Sequence, residues 1–291
     1  MKIGYACINN SLKCRANKTF RLSSYTEEKL VETIKNNLDC LKKILEYNLE
    51  HNLMFFRITS ELIPFGSHEI NKFDWLNYFK KDFEEIGAFI KNHDMRISMH
   101  PDQFVVLNSP KEKVIQNSIG ELLWHAQVLD AMNLDLTAKI QIHVGGVYND
   151  KDKAIEKFVE TYKNLPLQIK RRLAIENDDK SYSLKDCLKL NKKIGIPIIF
   201  DNFHHECLNN KEPMFEAVKL AQSTWKKQDG VLMTDYSSQQ PGERKGKHAD
   251  SIDINHFKKY LEQTKDLEFD IMLEIKDKEK SALIAKQIMS S

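Results

Sequence analysis

The sequence predicts a single (β/α)8 barrel that spans residues 1–291, and two observations lead to this prediction. Apolar runs short enough to be buried strands recur along the whole chain, and each precedes a longer segment with helical spacing of its apolar residues. Eight such units follow one another without a linker rich in Pro, Gly or Ser. Since this architecture typically takes ~250 residues, the alternation favours a barrel over a doubly wound sheet and indicates one domain.

The elements are predicted in strict alternation, strand before helix. The strands are expected at residues 2–7, 53–58, 95–99, 139–143, 173–176, 197–201, 230–235 and 269–274. The helices are expected at residues 27–50, 73–92, 113–132, 151–164, 183–193, 213–227, 254–264 and 278–289. Long connections follow strands at residues 8–26, 59–72, 101–112 and 236–253. Active sites of such barrels are built from these loops, so any site is expected at that end.

Composition limits the classes of protein to consider. The chain has 44 Lys plus Arg against 42 Asp plus Glu, a net charge of +2, which excludes a polybasic tail but not a local basic surface. Its five cysteines form no C-x-x-C, so we expect neither a disulfide framework nor a zinc ribbon. The first residues lack the apolar core of a signal peptide, and no stretch approaches the roughly 18 apolar residues of a membrane span. These observations predict a soluble, cytoplasmic protein with no membrane partner.

Residues able to ligate a metal close six consecutive predicted strands. They are His100, His143, Glu176, Asp201, Asp235 and Glu274. In a barrel all six side chains meet at one mouth, where uncompensated carboxylates repel one another and require cations. One such residue alone is more often a helix N-cap or a hydrogen-bonded mouth residue, but six in succession favour a metal site.

Three histidines in the loops complete the candidate ligand set. His68 lies in the second loop, His204 follows Asp201 by three residues, and His248 lies in the seventh loop. Nine ligands can hold two or three divalent ions, and a His and carboxylate set without thiolate suits Mn, Zn, Fe or Co better than Ca or Cu(I). The other histidines are expected to be structural (His51, His93, His125 and His256), while His205 stays open between a supporting role and a solvent-facing one.

Basic residues flank the predicted mouth on two loops. Lys13, Arg15, Lys18 and Arg21 lie in the first loop, and Arg244, Lys245 and Lys247 lie in the seventh. Cations beside a metal cluster suit cleavage of a phosphodiester, in which two ions activate water and stabilise the leaving oxygen. The alternative is that each loop is simply solvated. Arg171 and Arg172 precede the fifth strand, at the opposite rim, and are expected to stabilise the fold.

Short motifs occur along the whole chain, from the first predicted strand to the last. They are Gly4-Tyr5-Ala6-Cys7 with Asn9-Asn10, Arg57-Ile58-Thr59-Ser60, Phe65-Gly66-Ser67-His68, Ser98-Met99-His100-Pro101-Asp102-Gln103-Phe104, Gln141-Ile142-His143-Val144-Gly145-Gly146, Ala174-Ile175-Glu176-Asn177-Asp178, Phe200-Asp201-Asn202-Phe203-His204-His205, Tyr236-Ser237-Ser238-Gln239 and His248-Ala249-Asp250. With these motifs the chain resembles the UV damage endonuclease family, metal-dependent repair nucleases on a TIM barrel. The resemblance covers nearly the whole chain.

The resemblance implies an activity and its partners. A member of this family nicks duplex DNA immediately 5′ to cyclobutane pyrimidine dimers and 6-4 photoproducts, and leaves a 3′-hydroxyl and a 5′-phosphate. The cofactors implied are two or three divalent ions, Mn foremost, with Zn, Co or Fe as alternatives. The expected partner is UV-damaged duplex DNA, with no nucleotide cofactor, and the protein is expected to be a monomer.

The resemblance also implies roles for particular residues. The implied ligands are His68, His100, His143, Glu176, Asp201, His204, His248 and Glu274, of which Glu176, His143, Glu274 and His204 are the expected catalytic residues. The expected contacts with DNA and lesion are Tyr5, Asn9, Asn10, Gln103, Phe104, Arg15, Arg21, Arg244 and Lys247. Gln103 and Phe104 would probe the duplex opposite the lesion, and Tyr5 would line the lesion pocket.

Two positions depart from the family pattern. Phe104 stands where Tyr is expected, which keeps an apolar wedge but removes a phenolic donor. Met233 and Asp235 stand where many relatives carry a Lys that can be carboxylated and a metal-binding His. Asp235 is expected to ligate in place of that His, changing the local charge by about one unit.

Two rival functions stay open at this point. One is another enzyme on the same barrel, either an apurinic endonuclease or a sugar isomerase, and the segment containing Gln103 and Phe104 argues against the isomerase. The other is a non-catalytic module that binds damaged DNA without turnover. The nearly complete ligand set argues against that module.

Overall fold

A computed structural model describes residues 1–290 and has the predicted barrel, with eight parallel strands closed into one sheet. The strands are β1 (Ile3–Ala6), β2 (Phe55–Ile58), β3 (Arg96–Met99), β4 (Lys139–His143), β5 (Leu173–Glu176), β6 (Ile198–Asp201), β7 (Leu232–Tyr236) and β8 (Phe269–Leu273). Each strand pairs with the next in sequence, and β8 pairs with β1 in the register Gly4↔Met272. Closure leaves no unpaired sheet edge.

Helices follow the strands and surround the barrel. They are α1 (Glu27–Glu50), α2 (Trp75–Tyr78), α3 (Lys80–Asn92), α4 (Glu112–Ala131), α5 (Lys151–Asn164), α6 (Leu167–Lys170), α7 (Leu184–Ile194), α8 (Asn202–Cys207), α9 (Met214–Gln222), α10 (Ile254–Gln263) and α11 (Glu279–Met289). The first helix has the predicted bounds, and Thr26 caps it by accepting the Lys29 N–H. None of the described helices has the length and apolar character that a membrane span requires.

The predicted elements differ from the structure chiefly where helices are short. The single helix predicted over residues 73–92 is two helices, α2 and α3, and the one predicted over residues 213–227 ends at Gln222. The helices α6 and α8 were not predicted. Each of these two has six residues or fewer, which is too short for apolar periodicity to reveal.

The core has two layers, one on each face of the sheet. A large layer fills the space between strands and helices, and a small cluster of apolar side chains lies inside the barrel. The inner cluster contains Ala6, Phe55, Ala174, Ile199, Met233 and Met272. Neighbouring residues of one strand therefore face opposite layers, as the two-residue period of a strand requires.

The end of the barrel opposite the strand C-termini is closed by ion pairs. Lys139 begins β4 and is fully buried, with its Nζ 2.5 Å from Oδ1 of Asp229. Arg172 directly precedes β5 and donates from its Nη2 to Oδ1 of Asp130 over 2.6 Å, and Arg171 also pairs with Asp130. The stabilising role expected for the two arginines at this rim agrees with these contacts.

Two of the five cysteines are joined by a disulfide bond. Cys14 and Cys40 form a disulfide with Cα atoms 5.7 Å apart, although the sequence predicted no disulfide framework. The bond joins the β1–α1 loop to the buried face of α1, because the loop folds back along the helix that follows it. A sequence separation of 26 gives no sign of this approach. Cys7, Cys187 and Cys207 are free.

Candidate metal centre

The C-terminal ends of the strands bring the predicted ligands together. His143, Glu176 and Asp201 are the last residues of β4, β5 and β6, and His100 and Glu274 each follow the last residue of a strand. The rings of His100 and His143 have centroids 5.3 Å apart, and that of His143 lies 5.8 Å from that of His204. The strand ends therefore form one cluster, as a barrel mouth requires.

Glu176 is the central side chain of this cluster. It is 1% exposed, and its Oε1 lies 2.9 Å from Nδ1 of His204. Its Oε2 lies 3.4 Å from Nε2 of His100 and 3.8 Å from Nε2 of His143. One carboxylate thus faces three imidazoles at once.

Asp201 joins the end of β6 to helix α8. Its Oδ1 accepts the backbone N–H of His204 over 2.6 Å and so caps the helix. The cap places His204 one turn into the helix, with its ring turned back toward the mouth. Oδ2 of Asp201 is buried and has no hydrogen-bond partner. The carboxylate therefore serves as a helix cap with one oxygen and offers the other to the site.

Backbone carbonyls fix the orientation of three imidazoles. A carbonyl can only accept, so an imidazole nitrogen within hydrogen-bond distance of one carries the proton and leaves the other nitrogen as a ligand. Nδ1 of His100 lies 2.7 Å from the carbonyl oxygen of Pro101. Nδ1 of His204 lies 3.0 Å from that of Asn177, and Nδ1 of His248 lies 3.0 Å from that of Glu274. Each Nε2 is thereby left free to coordinate a metal.

The donor atoms of the cluster fit divalent metal ions. Two groups of possible ligand atoms lie within 4.8 Å of one another, His100 with His143 and Glu176, and Glu176 with Asp201 and His204. Among the buried atoms without a hydrogen-bond partner are Oε1 of Glu176, Oδ2 of Asp201 and Nδ1 of His143. Buried polar atoms are rarely left unpaired, so these vacant lone pairs indicate a cation.

The charges in the cluster shift one another's pKa strongly. Burial alone would raise the pKa of Glu176, but His143, His100 and His204 favour its charged form and hold the pKa well below its usual range. Burial raises the pKa of Asp201 well above its usual range, against the opposing charge of His204. The pKa of His204 rises to about 12, because Asp201 and Glu176 outweigh the effect of burial. Without a metal, these carboxylates hold a proton on His204.

Two side chains to which sequence reasoning assigned no role lie directly beneath the candidate ligands. Arg57 of β2 is 3% exposed, and its Nη2 donates to Oδ1 of Asp235 over 2.7 Å and to Oε1 of Gln141 over 2.9 Å. Its Nη1 donates to Glu274. Gln141 of β4 donates to Oε2 of Glu176 over 2.5 Å. The available signal was a charged residue inside a predicted buried strand, since such a charge requires a partner.

Asp235 is placed differently from the other carboxylates. It lies within β7 and is 1% exposed, with one oxygen bonded to Arg57 and the other accepting from the amide of Gln141. Burial raises its pKa to about 7, against the opposing charge of Arg57. Met233, two residues earlier on the same strand, belongs to the apolar cluster inside the barrel.

His68 and His248 lie at the margin of the cluster. His248 has its ring centroid 5.7 Å from that of His204 and its Nδ1 3.7 Å from Oε2 of Glu274. His68 is exposed and lines a cleft of about 610 Å³ between the β2–α2 loop and α4. Its Nδ1 accepts the N–H of Ile70 over 3.1 Å, so its orientation differs from that of the anchored imidazoles. Within residues 1–290, neither histidine belongs to the two tight groups of ligand atoms.

Tyr5 and Asn9 are buried and hydrogen-bonded to each other, and their expected contacts with DNA and lesion stay a prediction. The Tyr5 ring is fully buried in the layer outside the barrel, and its hydroxyl donates to Oδ1 of Asn48 in α1 over 2.6 Å. Asn9 is 1% exposed and donates to the Tyr5 hydroxyl over 2.8 Å. The two-residue period of the strand turns Ala6 inward and Tyr5 outward. Asn10 is exposed.

The other side chains predicted to contact DNA are mostly exposed near the mouth. Gln103 and Phe104 project from the loop after β3, and Phe104 is 75% exposed. Arg21 and Arg244 are exposed on the first and seventh loops. Two of the residues predicted to contact DNA have partners within the protein. Arg15 donates to the carbonyl of Asn9 over 2.8 Å, and Lys247 pairs with Glu243 over 2.6 Å.

The histidines expected to be structural lie away from the ligand groups. His51 and His93 are the C-terminal caps of α1 and α3. His125 is fully buried in α4, where burial lowers its pKa to about 3. His256 lies in α10 with its Nδ1 2.7 Å from the Tyr236 hydroxyl. His205, which the sequence left open, is 3% exposed and bonds the carbonyl of Glu212.

Comparison with known proteins places this barrel among its relatives. The family model described as UV-endonuclease UvdE matches residues 1–290. A protein named UV DNA damage endonuclease from Clostridium perfringens is 45% identical over 285 residues, which are 97% of this chain and 69% of that protein. A protein of the same name from Bacillus thuringiensis is 36% identical over 301 residues, 100% of this chain and 95% of that protein.

A solved structure agrees with these relatives. The crystal structure titled SacUVDE is 46% identical in sequence and has a TM-score of 0.96, covering 100% of this chain and 98% of that one. Both the sequence likeness and the likeness of fold extend over the whole described barrel, including every strand that carries a residue of the cluster. The chain therefore belongs to the UV-endonuclease UvdE family.

Proposed function

We propose that this protein is a metal-dependent DNA repair endonuclease that nicks UV-damaged duplex DNA immediately 5′ to the photoproduct. The substrates are cyclobutane pyrimidine dimers and 6-4 photoproducts, and the products carry a 3′-hydroxyl and a 5′-phosphate. The observation that carries the proposal is the family match over residues 1–290, together with a cluster at the barrel mouth that offers vacant ligand atoms.

The metal ions would be held by the two groups that share Glu176. His100 and His143 form one group with it, and Asp201 and His204 form the other. Mn is the ion we propose first, with Zn, Co or Fe as alternatives, because the set combines imidazole with carboxylate and has no thiolate. When bound there, such ions supply an activated water and neutralise charge that develops on the phosphate.

The chain's own residues orient this chemistry. The carbonyls of Pro101 and Asn177 hold the proton on Nδ1 of His100 and His204, which leaves each Nε2 as the nitrogen able to ligate. Arg57 compensates carboxylate charge beneath the site. Preorganised polar groups of this kind stabilise a transition state more than flexible ones do.

The substrate would be held by the loops around the mouth. Arg21 and Arg244 are exposed on two loops and are placed to contact phosphates of the duplex. Phe104 is an exposed apolar side chain beside Gln103, and a wedge of this type inserts between bases of a duplex that a lesion has already weakened. Binding requires no nucleotide cofactor, and we propose that the protein acts as a monomer.

The test is a cleavage assay with one defined lesion. Purified protein is stripped of metal, reloaded with Mn and incubated with end-labelled duplex that carries one cyclobutane dimer, beside matched abasic and undamaged duplexes. A nick immediately 5′ to the dimer, lost with EDTA and in Glu176→Gln, supports the proposal. Cleavage of the abasic duplex alone would assign the protein as an apurinic endonuclease, and binding without cleavage in any metal would assign a damage-binding module.

A further inference from the structure

A buried guanidinium lies beneath the candidate ligands and is surrounded by polar groups. Arg57 donates from Nη2 to Asp235 over 2.7 Å and to Oε1 of Gln141 over 2.9 Å, and from Nη1 to Glu274. Its side chain is 4% exposed, and that of Asp235 is 1% exposed. A buried charge requires a partner of opposite charge, and Asp235 is the most deeply buried carboxylate in contact with Arg57.

Gln141 connects this ion pair to the ligand cluster. Its Oε1 accepts from Arg57, which leaves the two N–H bonds of its amide for carboxylates. One N–H donates to Oε2 of Glu176 over 2.5 Å, and the other donates to Oδ2 of Asp235. Because a guanidinium can only donate, Arg57 fixes which end of the amide faces the two acids.

Asp235 differs from the two carboxylates of the ligand groups in one respect. Glu176 and Asp201 each have a buried oxygen without a hydrogen-bond partner. Both oxygens of Asp235 have partners, and one of these partners is a cation. A divalent ion bonded to Asp235 would be repelled by Arg57 at short range in a buried site. Among the described residues, Asp235 also belongs to neither tight group of ligand atoms.

We propose that Asp235 is the counter-ion of Arg57 and does not coordinate metal, and that Gln141, held by this pair, is a positioning residue for the carboxylate of Glu176. The inference revises the earlier expectation that Asp235 is a ligand. It rests on the proposed function only in taking the mouth as a metal centre. Residues that orient a ligand in this way typically change metal affinity by about 10–100-fold when removed.

The test counts bound metal in the absence of DNA. Wild type, Asp235→Asn, Gln141→Met and Glu176→Gln are saturated with Mn, and the bound Mn per chain is measured by mass spectrometry and its dissociation constant by titration. Asp235→Asn keeps an oxygen that can accept from Gln141 or Arg57, so it tests the charge with little change of shape. Asp270→Asn is the matched control, since Asp270 is a buried acid facing Arg96 at the other end of the barrel.

The expected results separate the roles of the three residues. Asp235→Asn retains the Mn count of wild type, and Glu176→Gln loses at least one equivalent. Gln141→Met retains the count but binds Mn about 10–100-fold more weakly, whereas Asp270→Asn changes neither quantity. Loss of one equivalent in Asp235→Asn would overturn the counter-ion assignment. Unchanged affinity in Gln141→Met would overturn the positioning role.

A second measurement does not depend on whether any variant folds. A crystal of the Mn-loaded wild type, with Mn located by anomalous scattering, is expected to show both oxygens of Asp235 still bonded to Arg57 and Gln141. An ion bonded to Asp235 would refute the inference. None of these measurements involves cleavage, so a protein that binds metal as expected but fails to nick dimers would contradict the proposed function and leave the inference standing.

Discussion

Oε1 of Glu176 lies 2.9 Å from Nδ1 of His204, although the two side chains come from the end of one strand and from the helix that follows the next. The contact depends on Asp201, because this residue caps α8 and so sets the position of His204. A helix of six residues thereby becomes part of the mouth. The D-x-x-H spacing of Asp201 and His204 is the local sequence pattern that builds it.

Replacing His204 is expected to lower both the rate of dimer cleavage and the amount of Mn bound per chain. His204→Asn removes the imidazole that faces Glu176 and Asp201, and the loss of dimer cleavage should exceed about 100-fold, the upper range for residues that only orient a ligand. The rate of nicking and the bound Mn per chain are the measurements. His51→Asn and His93→Asn are the controls, since both histidines cap helices away from the ligand groups and should leave both quantities unchanged. Equal activity of His204→Asn and wild type would show that this histidine holds no metal.

Metal binding is expected to release a proton. Burial would lower the pKa of His204, but Asp201 and Glu176 raise it to about 12, so the metal-free site holds a proton on this imidazole at neutral pH. Coordination requires the neutral ring, and the apparent affinity for Mn should therefore rise about tenfold per pH unit below that pKa. Calorimetry in buffers of different ionisation enthalpy counts the released protons. A binding enthalpy that is independent of the buffer would contradict the prediction.

The cluster of candidate ligands was easier to predict from the sequence than the buried polar groups beneath it. Strand ends are easy to locate in a barrel, so position alone predicted that His100, His143, Glu176 and Asp201 lie together as candidate ligands. Arg57 was missed because its partner, Asp235, lies on a distant strand and the pairing depends on barrel closure.

The outward direction of the Tyr5 side chain was not predicted, for a different reason. All four residues of β1 are buried, so the burial of this strand does not say which of its faces is the barrel interior. The small residues on either side of Tyr5, Gly4 and Ala6, were the available signal, since the interior of a small barrel has little room. The disulfide between Cys14 and Cys40 depends on the path of a long loop, which no local pattern predicts.

Removing exposed loop cations is expected to weaken DNA binding and reduce its dependence on salt. Arg244→Ala and Arg21→Ala should each lower the slope of log affinity against log salt concentration by about 0.9, the value for one phosphate contact. Affinity for duplex is measured at several salt concentrations. Arg171→Ala is the control, because this residue pairs with Asp130 at the opposite end of the barrel. A slope that stays at the wild-type value in both loop variants would show that these cations are merely solvated.

Truncating Phe104 is expected to reduce discrimination between damaged and undamaged duplex without affecting stability. The ring is 75% exposed, so Phe104→Ala should change the free energy of unfolding by less than about 0.5 kcal/mol. An apolar wedge acts where stacking is already weak, and its loss should lower affinity for the dimer more than for intact duplex. Leu167→Ala is the matched control, since Leu167 is 73% exposed but lies in α6. A variant with the wild-type ratio of the two affinities would exclude the wedge.

The pairing of Arg57 with Asp235 and Glu274 has a consequence for how the chain reaches its native state. Arg57 is on the second strand and its partners are on or after the last two, so these contacts form only when β1 and β8 have joined. The four strands that carry the ligand groups are consecutive, from β3 to β6, but the acids that compensate the buried charge of Arg57 lie on or after the closing strands β7 and β8. Contacts of such long sequence separation form late, after the costly closure of the chain. High-affinity metal binding would therefore report completion of the barrel during refolding, because Arg57 would lack both acidic partners in an unclosed intermediate.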